Sequence, residues 1–109
     1  MQHLAVQDLQ AHCAMHPDSL LLDVREPWEV ALASIHIDGT ESLQVPMNQL
    51  PARLAELDPA RPIVCICHHG VRSAQVVAVL QRQGFDSAYN LAGGIDAWSA
   101  VVDASVPTY

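Results

Sequence analysis

The sequence predicts an α/β domain built on a parallel sheet. Two apolar runs, Leu20-Leu21-Leu22-Asp23-Val24 and Ile63-Val64-Cys65-Ile66-Cys67, are continuous rather than alternating, the pattern of strands buried on both faces. Helical patterns fall between the strand candidates, so strand and helix alternate along the chain. With 109 residues, half of them apolar, residues 1–109 read as one domain able to bury a core without disulfides or a structural metal.

Taken in order, a strand around Leu4 to Val6 leads into a helical pattern from Gln7 to Met15, which Pro17 ends. After the first long apolar run comes a helix over Trp28 to Ala33, then a short strand at Leu43-Gln44-Val45 and a helix over Pro51 to Leu57. The second apolar run precedes a helix from Ser73 to Gln83, with Ser73 as N-cap, Val76, Val77 and Leu80 as its apolar face and Arg82 in its last turn. Gly84 stands where a left-handed residue ends a helix. Ala88-Tyr89-Asn90-Leu91 gives the final strand and Gly94 to Val102 the final helix.

In open α/β sheets, ligands bind beyond the carboxyl ends of the strands, and the reactive residues gather there. Cys67-His68-His69-Gly70-Val71-Arg72 joins a strand end to a helix start. Loop N–H groups and the positive end of a helix stabilise an anion at such a place, so Cys67 is expected to be a thiolate nucleophile. Gly70 is expected to supply a positive φ or a close backbone approach. His68 and His69 either donate hydrogen bonds to a bound anion or face solvent, and Arg72 either forks onto an anionic donor or pairs with an acidic neighbour such as Glu26. At a second strand end, Asp23 and Arg25 are expected to brace the loop through hydrogen bonds.

The remaining candidates read as structural. Cys65 points to the same side of its strand as Cys67 but deeper, as core; Cys13 is an unreactive, partly buried thiol on the first helix. His36 reads as a packing and hydrogen-bonding residue, Gly93-Gly94 as a tight turn, and Trp98 as an aromatic anchor.

Composition excludes whole classes of function. A formal charge of −7 with only five scattered Lys and Arg residues argues against a nucleic-acid surface. No apolar stretch approaches the roughly 20 residues of a membrane span. Three cysteines cannot all pair within one chain, and no leader-like pattern opens the sequence, so a reducing cytoplasm is the expected compartment.

Four segments taken together resemble the rhodanese family: Leu22-Asp23-Val24-Arg25-Glu26, His36-Ile37-Asp38-Gly39, the loop at Cys67, and Leu91-Ala92-Gly93-Gly94-Ile95-Asp96-Ala97-Trp98. The resemblance implies a five-stranded parallel sheet in the order 1-5-4-2-3, helices on both faces, and the loop after the fourth strand. It also implies a sulfurtransferase in which Cys67 cycles through a persulfide, with His68, His69, Gly70, Val71, Arg72 and Ser73 as the substrate-binding loop. By the same resemblance the donor is a small sulfur compound such as thiosulfate, and the acceptor is cyanide, a thiol or a sulfur-carrier protein. No cofactor or metal is required. Ile35 and Thr40 depart from the family's Gly and Ala at those positions, and the segment Val102 to Tyr109 is similar to the end of rhodanese domains fused to enzymes that activate ubiquitin-like proteins.

Two other chemistries use these residue types. The cysteine phosphatase pattern places five residues between Cys and Arg, whereas this chain has four between Cys67 and Arg72, which tightens the cradle. A metal module of Cys65, Cys67, His68 and His69, with His12, Cys13 and His16, would need neighbouring residues of one strand end to surround a tetrahedral ion.

Overall fold

Five short strands take up the expected runs in the computed structural model, which describes residues 1–109: β1 (Gln2–Leu4), β2 (Leu20–Asp23), β3 (Glu41–Gln44), β4 (Ile63–Ile66) and β5 (Ala88–Leu91). All pair parallel in the order β1-β5-β4-β2-β3, the order the family resemblance implies. The crossovers carry α1 (Leu9–Met15), α2 (Pro27–Leu32), α3 (Leu50–Arg53) and α4 (Val71–Arg82), and α5 (Gly94–Val101) follows β5.

The two unbroken apolar runs lie side by side at the centre of the sheet, and every residue of β2 and β4 is buried. Their side chains alternate between two cores. Leu20, Leu22, Ile63, Cys65 and Cys67 pack under α3 and α4 through Leu50, Val76, Val77 and Leu80. Leu21, Val64 and Ile66 pack under α1 and α5 through Leu9, Cys13, Ile95 and Trp98. Register therefore decides which face the Cys67 thiol joins. A one-residue slip of β4 would exchange the two sets between cores shaped for other side chains, and each misfit would cost about 1–3 kcal/mol.

The structure moves several boundaries. β1 is Gln2–Leu4 rather than Leu4 to Val6, because Val6–Asp8 closes a 3-10 turn leading into α1. β3 begins at Glu41, before the apolar signal at Leu43. The helix expected over Pro51 to Leu57 is α3 followed by a 3-10 turn at Leu54–Glu56. Ser73 is not an N-cap: α4 starts at Val71, behind Gly70 at φ 92°. His36 does not pack; its side chain is exposed, 3.3 Å from Asp38, while Ile35 beside it is buried. Trp98 is buried and Gly84 has φ 90°, as expected.

Strand pairing sets Asp23 opposite Ile66, and Cys65 opposite Asn90. The carboxyl ends of β2, β4 and β5 thus meet on one edge, where their loops converge.

Candidate active site

Cys67 is the first residue beyond β4 and is 1% exposed. Its Sγ accepts the Gly70 N–H at 3.0 Å and lies 3.1 Å from Ser73 Oγ. Among the loop amides only that of Gly70 bonds the sulfur, so the expected convergence of amides is in fact one amide and one hydroxyl. Ser73, in the first turn of α4, is buried, and its hydroxyl donates to Asn90 Oδ1 at 2.5 Å. A hydroxyl has one proton: while Asn90 takes it, Cys67 can only donate to Ser73, and when Cys67 is a thiolate that proton is free to turn to sulfur. Asn90 Nδ2 also donates to Gly70 O at 3.2 Å, tying the loop to β5.

The start of α5 holds the outside of the loop. Ile95 N–H donates to Cys67 O at 3.0 Å and Asp96 N–H to His68 O at 3.1 Å. Gly94, at φ 62°, makes this approach possible, since a Cβ there would collide with the carbonyls of Cys67 and His68. Gly93-Gly94 is therefore a seat for the loop as well as a turn.

Arg72 pairs with Glu29 and not with Glu26. Its Nη1 and Nη2 donate to Glu29 Oε1 and Oε2 at 2.6 and 2.8 Å. Glu29 is 3% exposed and also accepts the Glu26 N–H at 3.1 Å and the Tyr109 hydroxyl at 2.8 Å. Four donors saturate the carboxylate. The Arg72 bonds, foremost, pull the Glu29 pKa down to about 2, against burial.

Arg25 is fully buried, and each of its N–H groups has an acceptor. Nε and Nη2 fork onto Asp23 at 2.9 and 2.7 Å, Nη2 also reaches Ala33 O at 2.7 Å, and Nη1 donates to Tyr109 Oη at 2.8 Å and to Glu29 O at 3.4 Å. Burial works against its charge, but the bonds to Asp23 and Tyr109 outweigh it and raise the pKa. Asp23 and Arg25 therefore brace α2 and the segment around Tyr109 and have no direct bond to the Cys67 loop.

His68 lies between two rings, stacked on Tyr109 at 3.9 Å and 7° and on His69 at 3.9 Å and 25°. Burial, then His69, lowers its pKa, which favours the neutral imidazole. His69 is exposed, its Nδ1 3.8 Å from the Asp96 carboxylate. His68, His69 and Asp96 bring donor atoms within 4.8 Å of one another. However, stacked imidazoles direct their in-plane lone pairs side by side and not at one point, so this is a poor chelate. Val71 is exposed at the loop's rim. Cys65 is buried under the sheet, where burial pushes its pKa up, and burial does the same to Cys13; all three thiols are free.

Glu29, Asn90 and Tyr109 complete the site without having been singled out from the sequence. Glu29 carried a signal as an acidic residue in the first turn of a helix opened by Pro27. Asn90 carried another, a polar residue inside a short buried strand. Tyr109 carried only its place in the segment Val102 to Tyr109, whose resemblance to the end of fused rhodanese domains says nothing of the Cys67 loop.

Residues 5–101 match the rhodanese-like domain family. A sulfurtransferase of Allochromatium vinosum is 39% identical over 93 residues, covering 85% of this chain and 83% of that protein. The thiosulfate sulfurtransferase GlpE of Pseudomonas paraeruginosa is 33% identical over 88 residues, covering 81% and 76%. The crystal structure of a rhodanese-like domain protein from Staphylococcus aureus superposes with a TM-score of 0.81 at 28% identity, covering 100% of this chain and 99% of the other. Sulfur transfer is the activity these relatives support. Sequence match, strand order and superposition agree: the chain belongs to the rhodanese-like family.

Proposed function

We propose that the protein moves sulfane sulfur from a thiosulfate-type donor to a thiol, cyanide or carrier-protein acceptor through a persulfide on Cys67. The observation that carries this reading is the Cys67 sulfur at the base of a six-residue loop, held between the Gly70 N–H and the Ser73 hydroxyl. The Cys67 thiolate attacks the outer sulfur of thiosulfate; a new S–S bond forms, the donor's S–S bond breaks, and sulfite leaves with its electron pair. An acceptor thiolate or cyanide then attacks the terminal sulfur, giving a new persulfide or thiocyanate and returning Cys67 as thiolate. Charge is conserved and no external oxidant is consumed, so neither step requires a cofactor or metal.

The loop's own groups supply the rest. Gly70 N–H and the Ser73 hydroxyl stabilise negative charge on the sulfur in both steps. His68, His69 and Val71 form the rim that a donor meets. Near-complete enclosure of Cys67 favours a reaction that delivers one atom to it over one that seats a whole oxyanion around it. Arg72 also counts against phosphoryl transfer, because the guanidinium a phosphate would require is already forked onto Glu29. The three free thiols support a reducing, cytoplasmic setting.

Mass spectrometry of thiosulfate-treated protein, without reductant, tests the reading. The Cys67 peptide should gain one sulfur and lose it again on addition of cyanide. Release of phosphate from an aryl phosphate, with no persulfide on Cys67, would sink the proposal and favour the phosphatase alternative.

A further inference from the structure

One side chain outside the loop bears on it at two places, directly at His68 and through Glu29 at Arg72. Tyr109, beyond α5, lays its ring on His68, the second loop residue, at 3.9 Å and nearly parallel. Its hydroxyl donates to Glu29 Oε2, and the same carboxylate holds Arg72, the sixth loop residue, by two bonds. The hydroxyl also accepts from Arg25, so its direction is fixed by a buried cation. Trp28 meets the Tyr109 ring edge-on at 6.1 Å, continuing a row of rings through Tyr109 and His68 to His69.

His68 depends on that stack. Its Nε2 is buried with no hydrogen-bond partner, so contact with the neighbouring rings orients the imidazole. His69, on its other face, is itself exposed and cannot anchor it. The segment carrying Tyr109 is secured separately, by the Ser99 hydroxyl on Val106 O at 2.6 Å and by Val106, half-buried, packed against the core that includes Ile95 and Trp98.

We propose that Tyr109 is the positioning residue of the Cys67 loop, its ring setting His68 at one end while its hydroxyl sets Glu29, and through it Arg72, at the other. The inference rests on the sulfur-transfer reading of Cys67 for its consequence in turnover, but not for its geometry. Tyr109 does not touch the sulfur. Its effect on rate comes from the shape of the segment from His68 to Arg72, where a misplacement on the order of 1 Å can cost about a hundredfold.

Three proteins test it: the wild type, Tyr109→Phe and Tyr109→Leu. In the wild type, the carbon-bound ring protons of His68 should resonate upfield under the Tyr109 ring current, a readout independent of sulfur chemistry. Tyr109→Phe keeps the ring and should keep that shift, with turnover reduced about threefold by loss of the hydroxyl's bonds. Tyr109→Leu should lose the shift and about tenfold or more of kcat, with a smaller change in the KM for thiosulfate. Combining Tyr109→Leu with His68→Ala should cost less than the sum of the two changes, since they remove one contact. An unshifted His68 in the wild type overturns the proposal, and so does wild-type kcat in Tyr109→Leu. Should Tyr109→Leu fail to fold, Tyr109→Phe and the wild-type spectrum still decide: normal kcat in the Phe variant, or no His68 shift in the wild type, is refutation. Absence of a persulfide on wild-type Cys67 would remove the function reading while leaving the spectral test standing.

Discussion

At the scale of single residues, the contrast between Cys65 within β4 and Cys67 just beyond it is the sharpest test of the site. Cys67→Ser should abolish thiosulfate:cyanide sulfurtransferase activity while the protein still folds, because a hydroxyl at neutral pH is a poor nucleophile and cannot carry sulfur. Cys65→Ser should keep much of the activity, since Cys65 belongs to the core; normal turnover by the Cys67 variant would end the assignment. Glu29 gives a second test, through pH. Its folded carboxyl titrates at about 2, below the ordinary value of about 4.3, so its contribution to stability is full above the ordinary value and lost as pH falls toward the folded one. Replacing Glu29 by Gln should destabilise by about 2–3 kcal/mol at neutral pH, the loss moderated because Arg72 is partly exposed and can rehydrate. Denaturant titrations should show the gap between the two proteins narrowing as pH is lowered through the carboxylate range; a gap that widened would contradict the ion-pair account. Residues that act through local geometry were legible here: Cys67 stood at a strand end, Gly70 where a turn was needed. Arg72 was legible as a pairing residue but its partner was not, because Glu26 and Glu29 are one helical turn apart and only the fold decides which faces α4.

At the scale of elements, the loop is held by the start of α5 as much as by the helix it enters. Gly94→Ala tests this: a left-handed φ costs a side-chain-bearing residue about 1–2 kcal/mol, and the added methyl meets the carbonyls of Cys67 and His68. We expect a loss of about 3 kcal/mol or more, measured by thermal or urea unfolding, and a fall in turnover below what the folded fraction explains. A variant as stable and active as wild type would mean that α5 does not hold the loop. The elements the sequence revealed and those it hid divide by burial. β2 and β4 are buried throughout and read as unbroken apolar runs, whereas β1 and β3 are exposed edges whose residues carry no such imprint. The start of α4 was misplaced for another reason. Serine is a strong capping residue and valine is β-branched, so local preference pointed to Ser73, while the left-handed Gly70 lets the helix begin at Val71 and turns Ser73 inward to Cys67.

At the scale of the whole molecule, the charge of −7 opposes the approach of a dianion such as thiosulfate. Screening shortens that field from about 30 Å at 0.01 M salt to about 8 Å at 0.15 M, so kcat/KM for thiosulfate should rise with ionic strength while alkylation of Cys67 by neutral iodoacetamide stays level. A kcat/KM that fell with salt would show that a local positive field at the loop outweighs the acidic surface. The strand order has a consequence of another kind, in time. Nearly every group that bonds the sulfur or clasps the loop comes after Cys67 along the chain: Gly70, Ser73, Asn90, Ile95, Asp96 and Tyr109. A ribosome adding about 5–20 residues per second adds Cys67 some seconds before the last of them exists. During that interval β4 has no β5 beside it, and the cysteine has neither its buried serine–asparagine pair nor a helix to clasp its carbonyls. The nascent chain thus carries Cys67 without these partners through synthesis, and β5 and α5, on docking, bring the asparagine that holds Ser73 and the amides that clasp the loop.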